Sequence, residues 1–376
     1  MAENTHPSGV DLPLVSGEHA QSSLELQGVF SCVVDAKPRF HLEVLRWYAT
    51  LTQICGVSPE DIVVNAVSGT NSDALDYLRA QGVVIDSVEP FDPRSPHCNK
   101  IMGAIGLAER GVTGVAVLTD TDVVVLEDPR VIELEASKVG FRLVGGPNPS
   151  LPILERIFGA AGLDAPPTVP IGDWRPGELT FANHGNGGLY LVPAAVLSRL
   201  ANAWERWARW LLEHPDLLER SGWFLDQISF TLALAEEKIE PQRLDIRWNF
   251  PRGKATRMPT DISPAVIHYH KAVTSGGLVS KTGADATDRQ IDIANAAITH
   301  VWRAAFPNAS VDPVDSSEDH PESVAAEVRQ PTDGPTGHSI WARAAGLVDR
   351  LPSGAYRRAR NLWARARTTR NRSGNP

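Results

Sequence analysis

The chain has 376 residues, of which 42% are hydrophobic and 22% charged, and its net charge is -9 at pH 7. This is enough for one large α/β domain with appendages, and no apolar stretch is long enough to span a bilayer. Three widely spaced cysteines without a CxxC motif predict a reducing, cytoplasmic setting and argue against a disulfide framework or a zinc knuckle. The polar N-terminus predicts no signal peptide.

The first half of the chain alternates apolar strand patterns with amphipathic helix patterns. In chain order the spacing predicts strands at 29–34, 61–67, 83–88 and 114–118, and helices at 38–54, 72–81 and 99–110. This alternation predicts an α/β fold with a Rossmann-like, mostly parallel mixed sheet flanked by helices, and ligands bound beyond the carboxyl ends of the strands. Neither a G-x-G-x-x-G nor a P-loop is present, so a nucleotide would be held by another device.

The most informative motif is Asp120-Thr121-Asp122, which lies between the apolar runs 115–118 and 123–126. Burying two carboxylates in such a setting is costly unless a cation or a donor meets them. Because side chains alternate along a strand, Asp120 and Asp122 are expected to point one way and Thr121 the other. Two carboxylates on one side form a chelate for a hard divalent ion, which in turn suits a diphosphate.

Four later segments follow the acidic pair in a recognisable order. They are Asn183-His184-Gly185-Asn186-Gly187-Gly188, Phe224-Leu225-Asp226-Gln227, Ile246-Arg247-Trp248-Asn249-Phe250 and Val266-Ile267-His268-Tyr269-His270-Lys271. With the acidic motif they resemble the nucleotide-sugar glycosyltransferases of the GT-A fold that carry a DxD motif, most of all the glycogenin-like retaining branch. That branch follows its histidine with a glycine and Lys-Pro-Trp, which this chain lacks, so its stereochemistry stays open.

The resemblance implies a role for each matching residue. It implies metal ligation by Asp120, Asp122 and His268, with His270 as the other candidate imidazole, and a preference for Mn²⁺ over Mg²⁺. Catalytic roles fall to Asp226, Gln227 and Lys271, with the lysine stabilising charge on the leaving nucleoside diphosphate. The donor is expected to contact Val34, Asp35, Asp120, Thr121, Asn186, Gly187 and Gly188. Asn99 and Lys100 are added because they open the helix before the metal strand, where backbone N–H groups and a cation can meet an anionic donor.

Each of these residues also has a structural interpretation. His268 and His270 could be ordinary strand histidines, Lys271 a surface lysine and Asp226 a helix N-cap. Asp35 could cap a turn, and Asn99 with Lys100 could simply begin a helix. Gly187 and Gly188 could let the backbone approach a sugar closely or form a tight turn before the strand at 189–191.

The sequence as a whole predicts a metal-dependent glycosyltransferase that moves a sugar from a nucleotide-sugar donor to a hydroxyl of a carbohydrate, glycolipid or small-molecule acceptor. Retention would proceed by front-face attack, whereas inversion would need a carboxylate base, for which Asp226 is the candidate. A sugar-1-phosphate nucleotidyltransferase and a catalytically silent carbohydrate-binding protein are the alternatives. The first would need a glycine-rich basic loop where Asp35-Ala36-Lys37-Pro38 stands.

The ends of the chain differ from its middle. Residues 1–24 are predicted to be disordered, 25–306 to form a single GT-A-like domain, 307–337 to be an acidic disordered linker and 338–376 a basic, partly amphipathic tail. The tail is either a solvated extension or a peripheral membrane anchor for anionic lipid. Nucleic acid is not expected as a partner because the body of the protein is acidic.

Overall fold

The computed structural model of the protein describes residues 27–172 and 175–307. The expectations for the N-terminal segment, for almost all of the acidic linker and for the basic tail, including its membrane contact, lie outside the described residues. Within the described part, no helix combines the length and the apolar character needed to cross a membrane.

The predicted alternation of strands and helices is confirmed, with boundaries that differ by at most one residue. The strands are β1 (Gly28–Val34), β2 (Ile62–Val67), β3 (Val84–Val88), β4 (Val115–Thr119), β5 (Val123–Val125), β6 (Lys138–Leu143), β7 (Thr168–Pro170), β8 (Leu179–Phe181), β9 (Gly185–Pro193), β10 (Glu240–Arg243), β11 (Phe250–Pro251) and β12 (Val266–His268). The helices are α1 (Pro38–Gln53), α2 (Asp73–Ala80), α3 (Asn99–Arg110), α4 (Leu151–Ala161), α5 (Ala194–Glu213), α6 (Pro215–Leu218), α7 (Leu225–Glu236) and α8 (Asp285–Ala305).

A seven-stranded sheet forms the centre of the fold, in the order β10-β6-β9-β4-β1-β2-β3. The pairs β1–β2, β1–β4, β2–β3 and β10–β6 are parallel, and β9 runs antiparallel to β4 and β6. The prediction of a mostly parallel mixed sheet flanked by helices is therefore confirmed. Because β9 is antiparallel, its first residues lie at the same edge as the carboxyl ends of β1, β2 and β4.

Two apolar cores lie on the two faces of this sheet. One contains Trp47 of α1 and Ile298 of α8, and the other contains Trp204 of α5 and Phe230 of α7. All four side chains are at most 1% exposed, so burial of apolar surface on both faces fixes the helices that carry the polar residues at the sheet edge.

A second, three-stranded sheet has the order β11-β12-β5 and delivers the histidines. In its antiparallel β12–β5 pair His268 is opposite Val123, and the amide of Tyr269 donates to the carbonyl of Asp122 at 3.0 Å. This register brings the end of β12 against the turn between β4 and β5.

Candidate functional site

The acidic motif lies in the turn between β4 and β5. The expected strand alternation is therefore wrong in its local detail, because β4 ends at Thr119 and β5, which belongs to the smaller sheet, begins at Val123. The side chains nevertheless diverge as expected. The Thr121 hydroxyl is buried and donates to the carboxylate of Glu43 at 2.7 Å, whereas Asp120 and Asp122 face the histidines and a lysine.

Asp122, His268 and His270 form the candidate metal centre. One ligand atom from each lies within 4.8 Å of the others. His268 Nε2 is 3.1 Å from Asp122 Oδ1, and His270 Nδ1 is 3.7 Å from Asp122 Oδ2. Burial by itself would raise the pKa of Asp122, but the two histidines hold that pKa well below its ordinary value. A carboxylate and two imidazoles at this separation suit a divalent cation such as Mn²⁺.

The two histidines meet through a turn and not through strand alternation. Strand β12 ends at His268, and His270 has a φ of 52°, in the left-handed region that side chains other than glycine rarely adopt. The ring centroids of His268 and His270 are only 3.9 Å apart as a result. A strained backbone that places an imidazole beside a carboxylate favours ligation by both histidines and not by one alone.

Lys100 connects this centre to Asp226. Its Nζ lies 2.5 Å from Asp120 Oδ1 and 3.0 Å from Asp226 Oδ2, and it donates to the carbonyl of Gly187 at 3.4 Å. Burial lowers the pKa of Lys100, but Asp120 and Asp226 outweigh burial and hold that pKa well above its ordinary value. A charged ammonium therefore joins two carboxylates that are distant in sequence. Asp120 also lies 3.9 Å from His268 Nε2, between the lysine and the candidate metal centre.

Gly187 and Gly188 lie inside β9, so the alternative interpretation, a tight turn before the strand, is wrong. Their requirement for glycine comes from protein side chains close to them. A Cβ at Gly188 would come within 2.5 Å of His268 Nδ1, and one at Gly187 within 3.0 Å of Lys100 Nζ and 3.2 Å of Asp226 Oδ2. The strand thus passes directly beneath the site, where only a backbone without side chains fits.

Two asparagines hold this strand in place. Asn186 Oδ1 accepts from the amide of Gly188 at 3.1 Å and from Asn249 Nδ2 at 2.8 Å. Asn249 is fully buried, and its Oδ1 has no hydrogen-bond partner among the described residues. The sequence indicated Asn249 through its aromatic-Asn segment, but it did not indicate that the residue would contact Asn186.

Helix α1 contributes a buried polar stripe that the sequence analysis missed. Glu43 accepts from Thr121, Thr50 Oγ1 accepts from the amide of Val125 at 3.0 Å, and Arg46 reaches the Tyr269 hydroxyl at 3.5 Å. Burial, together with the charge of Asp122, raises the pKa of Glu43 to about 7. The available signal was the i, i+3, i+7 spacing of Glu43, Arg46 and Thr50, which places the three on one face of the helix. The stripe holds both segments that carry the candidate ligands.

The remaining expected residues are placed as follows. Asp226 is 3% exposed in the first turn of α7, and Gln227 Cγ would contact a Cβ at Gly187 at 3.5 Å, so both reach the site. Asn99 Oδ1 instead accepts from the amide of Phe91 at 2.9 Å, which stabilises a loop. The other expected site residues are Val34, Asp35 and Lys271.

In the described part of the chain, the side chains of those last three residues make no hydrogen bond or ion pair with the cluster. Val34 is fully buried in the core. Asp35 Oδ1 accepts from the amide of Lys37 at 2.8 Å, which closes the turn into α1. Lys271 is exposed and follows His270 directly. The cation inside the site is thus Lys100, and Lys271 lies at its margin.

No protein-family model matches the sequence, and no curated protein matches it either. Solved structures with a similar chain path include a galactosyltransferase LgtC bound to donor and acceptor sugar analogues, with 14% identity, a TM-score of 0.45, and coverage of 73% of this chain and 99% of that one. Mouse xyloside xylosyltransferase 1 has 12% identity, a TM-score of 0.41, and coverage of 65% and 98%. The glycosyltransferase GlyE of Streptococcus pneumoniae TIGR4 has 11% identity, a TM-score of 0.44, and coverage of 74% and 64%. Such distant likeness says nothing about chemistry, so function must be inferred from the side chains of this chain.

Proposed function

We propose that this protein is a metal-dependent glycosyltransferase that transfers a sugar from a nucleotide-sugar donor to an acceptor hydroxyl. One observation carries the proposal. The candidate metal centre of Asp122, His268 and His270 continues through Asp120 and Lys100 to the buried Asp226, along the carboxyl edge of a mostly parallel sheet. Ligands of open α/β sheets bind at this edge.

Asp122, His268 and His270 would hold the metal ion, with Asp120 as the nearest further carboxylate. The fit rests on the three ligand atoms within 4.8 Å of one another and on the left-handed backbone that His270 adopts to join them. A bound divalent cation would neutralise charge on the donor diphosphate. The ion is Mn²⁺ or Mg²⁺, and the two imidazoles favour Mn²⁺.

The other side chains of the site would bind the diphosphate and the donor sugar. The Lys100 ammonium supplies positive charge next to the diphosphate position, and Lys271 supplies more at the margin. Asp226 and Gln227 border Gly187, where the donor sugar would lie against the strand that lacks side chains. Retention by front-face attack requires no protein base, and inversion would assign proton removal to Asp226. The anomeric configuration of the product, followed by NMR, distinguishes the two.

A nucleotidyltransferase is disfavoured by the first turn of the fold. The connection between β1 and α1 is short and is closed by the hydrogen bond from the amide of Lys37 to Asp35, so it has no glycine-rich loop to surround a triphosphate. A catalytically silent carbohydrate-binding protein would keep the fold but would not need a metal. Metal-dependent binding of a nucleotide therefore distinguishes the enzyme from it.

Thermal unfolding of the full chain with a panel of nucleotide sugars and nucleoside diphosphates, with and without Mn²⁺, tests the proposal. A ligand at about a hundred times its Kd adds roughly 2.7 kcal/mol, which raises Tm by roughly 5 °C for a domain of this size. We expect Asp122→Ala to abolish the Mn²⁺-dependent increase while the protein stays folded. Asp292→Ala, which removes an exposed carboxylate paired with Lys281, is the matched control and should leave the increase intact. Unchanged nucleotide binding in Asp122→Ala contradicts the proposal.

A further inference from the structure

Trp223 is the one exposed side chain among the described phenylalanine, tryptophan and tyrosine residues, with 64% of its surface accessible. Single apolar residues on a surface are ordinary, but this one is fixed in place. Its ring lies against that of His97, with centroids 5.5 Å apart and planes inclined by 32°. Ser95 Oγ in turn lies 3.1 Å from His97 Nε2, which fixes the orientation of the imidazole.

The Trp223–His97 pair is next to the reactive end of the proposed site. Asp226 lies in the first turn of α7, and Trp223 precedes it by three residues. Lys100 lies in the first turn of α3, and His97 precedes it by three residues. The two chain segments therefore meet twice, once through the rings and once through the 3.0 Å ion pair between Lys100 and Asp226. Burial lowers the pKa of His97 more than the nearby charge of Asp226 raises it, so the imidazole is a neutral support at pH 7.

The contacts give the site an order. The candidate metal centre is at one end, and Asp120, Lys100 and Asp226 follow. The two rings lie on the same two chain segments as Lys100 and Asp226, at the end away from the metal centre's histidines in this series of contacts. A donor whose diphosphate binds at the metal end has its sugar near Asp226, which leaves the aromatic end for the molecule that receives the sugar. A flat indole with one free face matches the apolar C–H face of a pyranose. Stacking of this kind does not require the ligand to be charged.

We propose that the free face of Trp223, supported by His97, is the subsite for an acceptor pyranose, so that the acceptor is a carbohydrate or a glycoside. This inference rests on the proposed function for the identity of the ring as acceptor. Binding of the pyranose to Trp223 is a separate property that can be measured without donor or metal.

The test uses methyl β-D-glucopyranoside and methyl β-D-galactopyranoside as probes, with saturation-transfer NMR and titration of the full-length protein. We expect Trp223→Ala to weaken binding of at least one glycoside about tenfold, as loss of an aromatic stacking contact implies, and Trp223→Phe to have a smaller effect. Trp210→Ala is the matched control, because Trp210 also stacks on a histidine, His214, with centroids 4.5 Å apart, but on α5. It should bind the glycosides like the unaltered protein.

The outcomes separate this inference from the proposed function. Equal glycoside binding by Trp223→Ala and the unaltered protein, or no glycoside binding by either, overturns the inference. Loss of nucleoside diphosphate binding in Trp223→Ala with glycoside binding intact also overturns it, because the ring would then stack on the nucleotide base. Glycoside binding that depends on Trp223, in a protein that no nucleotide sugar stabilises, supports the subsite and contradicts the proposed function. Once a nucleotide-sugar donor has been identified, Trp223→Ala should raise the KM for the acceptor and leave the KM for the donor unchanged.

Discussion

Replacing Lys100 by methionine should destabilise the fold strongly, because Lys100 is the only cation paired with Asp226 among the described residues. The side chains of Lys100 and Asp226 are 18% and 5% exposed, and Nζ lies 3.0 Å from Oδ2. At an effective dielectric constant of about 20 the attraction at this distance is about 5.5 kcal/mol. Desolvation offsets part of it, but removing one partner of a buried pair leaves a charge uncompensated and costs about 3 to 5 kcal/mol.

A double-mutant cycle tests the origin of this loss. Asp226→Asn alone should cost about 1 kcal/mol, because the amide oxygen still accepts from Lys100 and the lysine keeps Asp120 at 2.5 Å. In the Lys100→Met background the same change removes the unpaired carboxylate, so the double variant should be more stable than Lys100→Met by about 2 kcal/mol. The free energy of unfolding is measured by urea titration at pH 7.

A matched surface pair provides the control for the cycle. Lys281 pairs with Asp292 at 2.9 Å, but both side chains are more than half exposed, so Lys281→Met should change stability little. A cost below about 1 kcal/mol for Lys100→Met, or no recovery on adding Asp226→Asn, would refute the view that the ion pair bridges a buried site.

Two further predictions concern groups around the site. Burial lowers the pKa of His184 to about 4, whereas the unfolded chain takes up that proton near pH 6.5, so stability is lost as pH falls through this window. Between pH 7 and 4.5 the unaltered protein should lose about 2 kcal/mol more than His184→Asn, measured by urea unfolding at each pH, and parallel curves would contradict this. Glu43→Ala should weaken Mn²⁺ binding about tenfold in a calorimetric titration because it frees Thr121, whereas Glu43→Gln, whose amide oxygen still accepts from Thr121, should bind nearly as the unaltered protein does. Equal affinities in the two Glu43 variants would show that the contact has no positioning role.

The sequence by itself determined the elements of the fold and the edge at which the site forms. Hydrophobic periodicity is a local property, so the strands and helices of the first half were predicted to within one residue. Their alternation implied a mostly parallel sheet, and a parallel sheet collects polar residues at its carboxyl edge. Asp120 and Asp122 were identified on this basis, and Lys100 from its place at the start of the helix before β4. Asp226 and His268 came instead from the resemblance to the GT-A glycosyltransferases.

Only the tertiary structure decided which of these side chains meet and in what electrostatic state. His268 and Asp122 are separated by 146 positions in the chain and lie 3.1 Å apart. Sequence spacing could not show that Lys100, and not Lys271, is the cation inside the site, nor that Glu43 holds the acidic turn. The pKa of a charged side chain depends on its burial and on partners that the fold brings from distant segments, and neither is encoded in local periodicity.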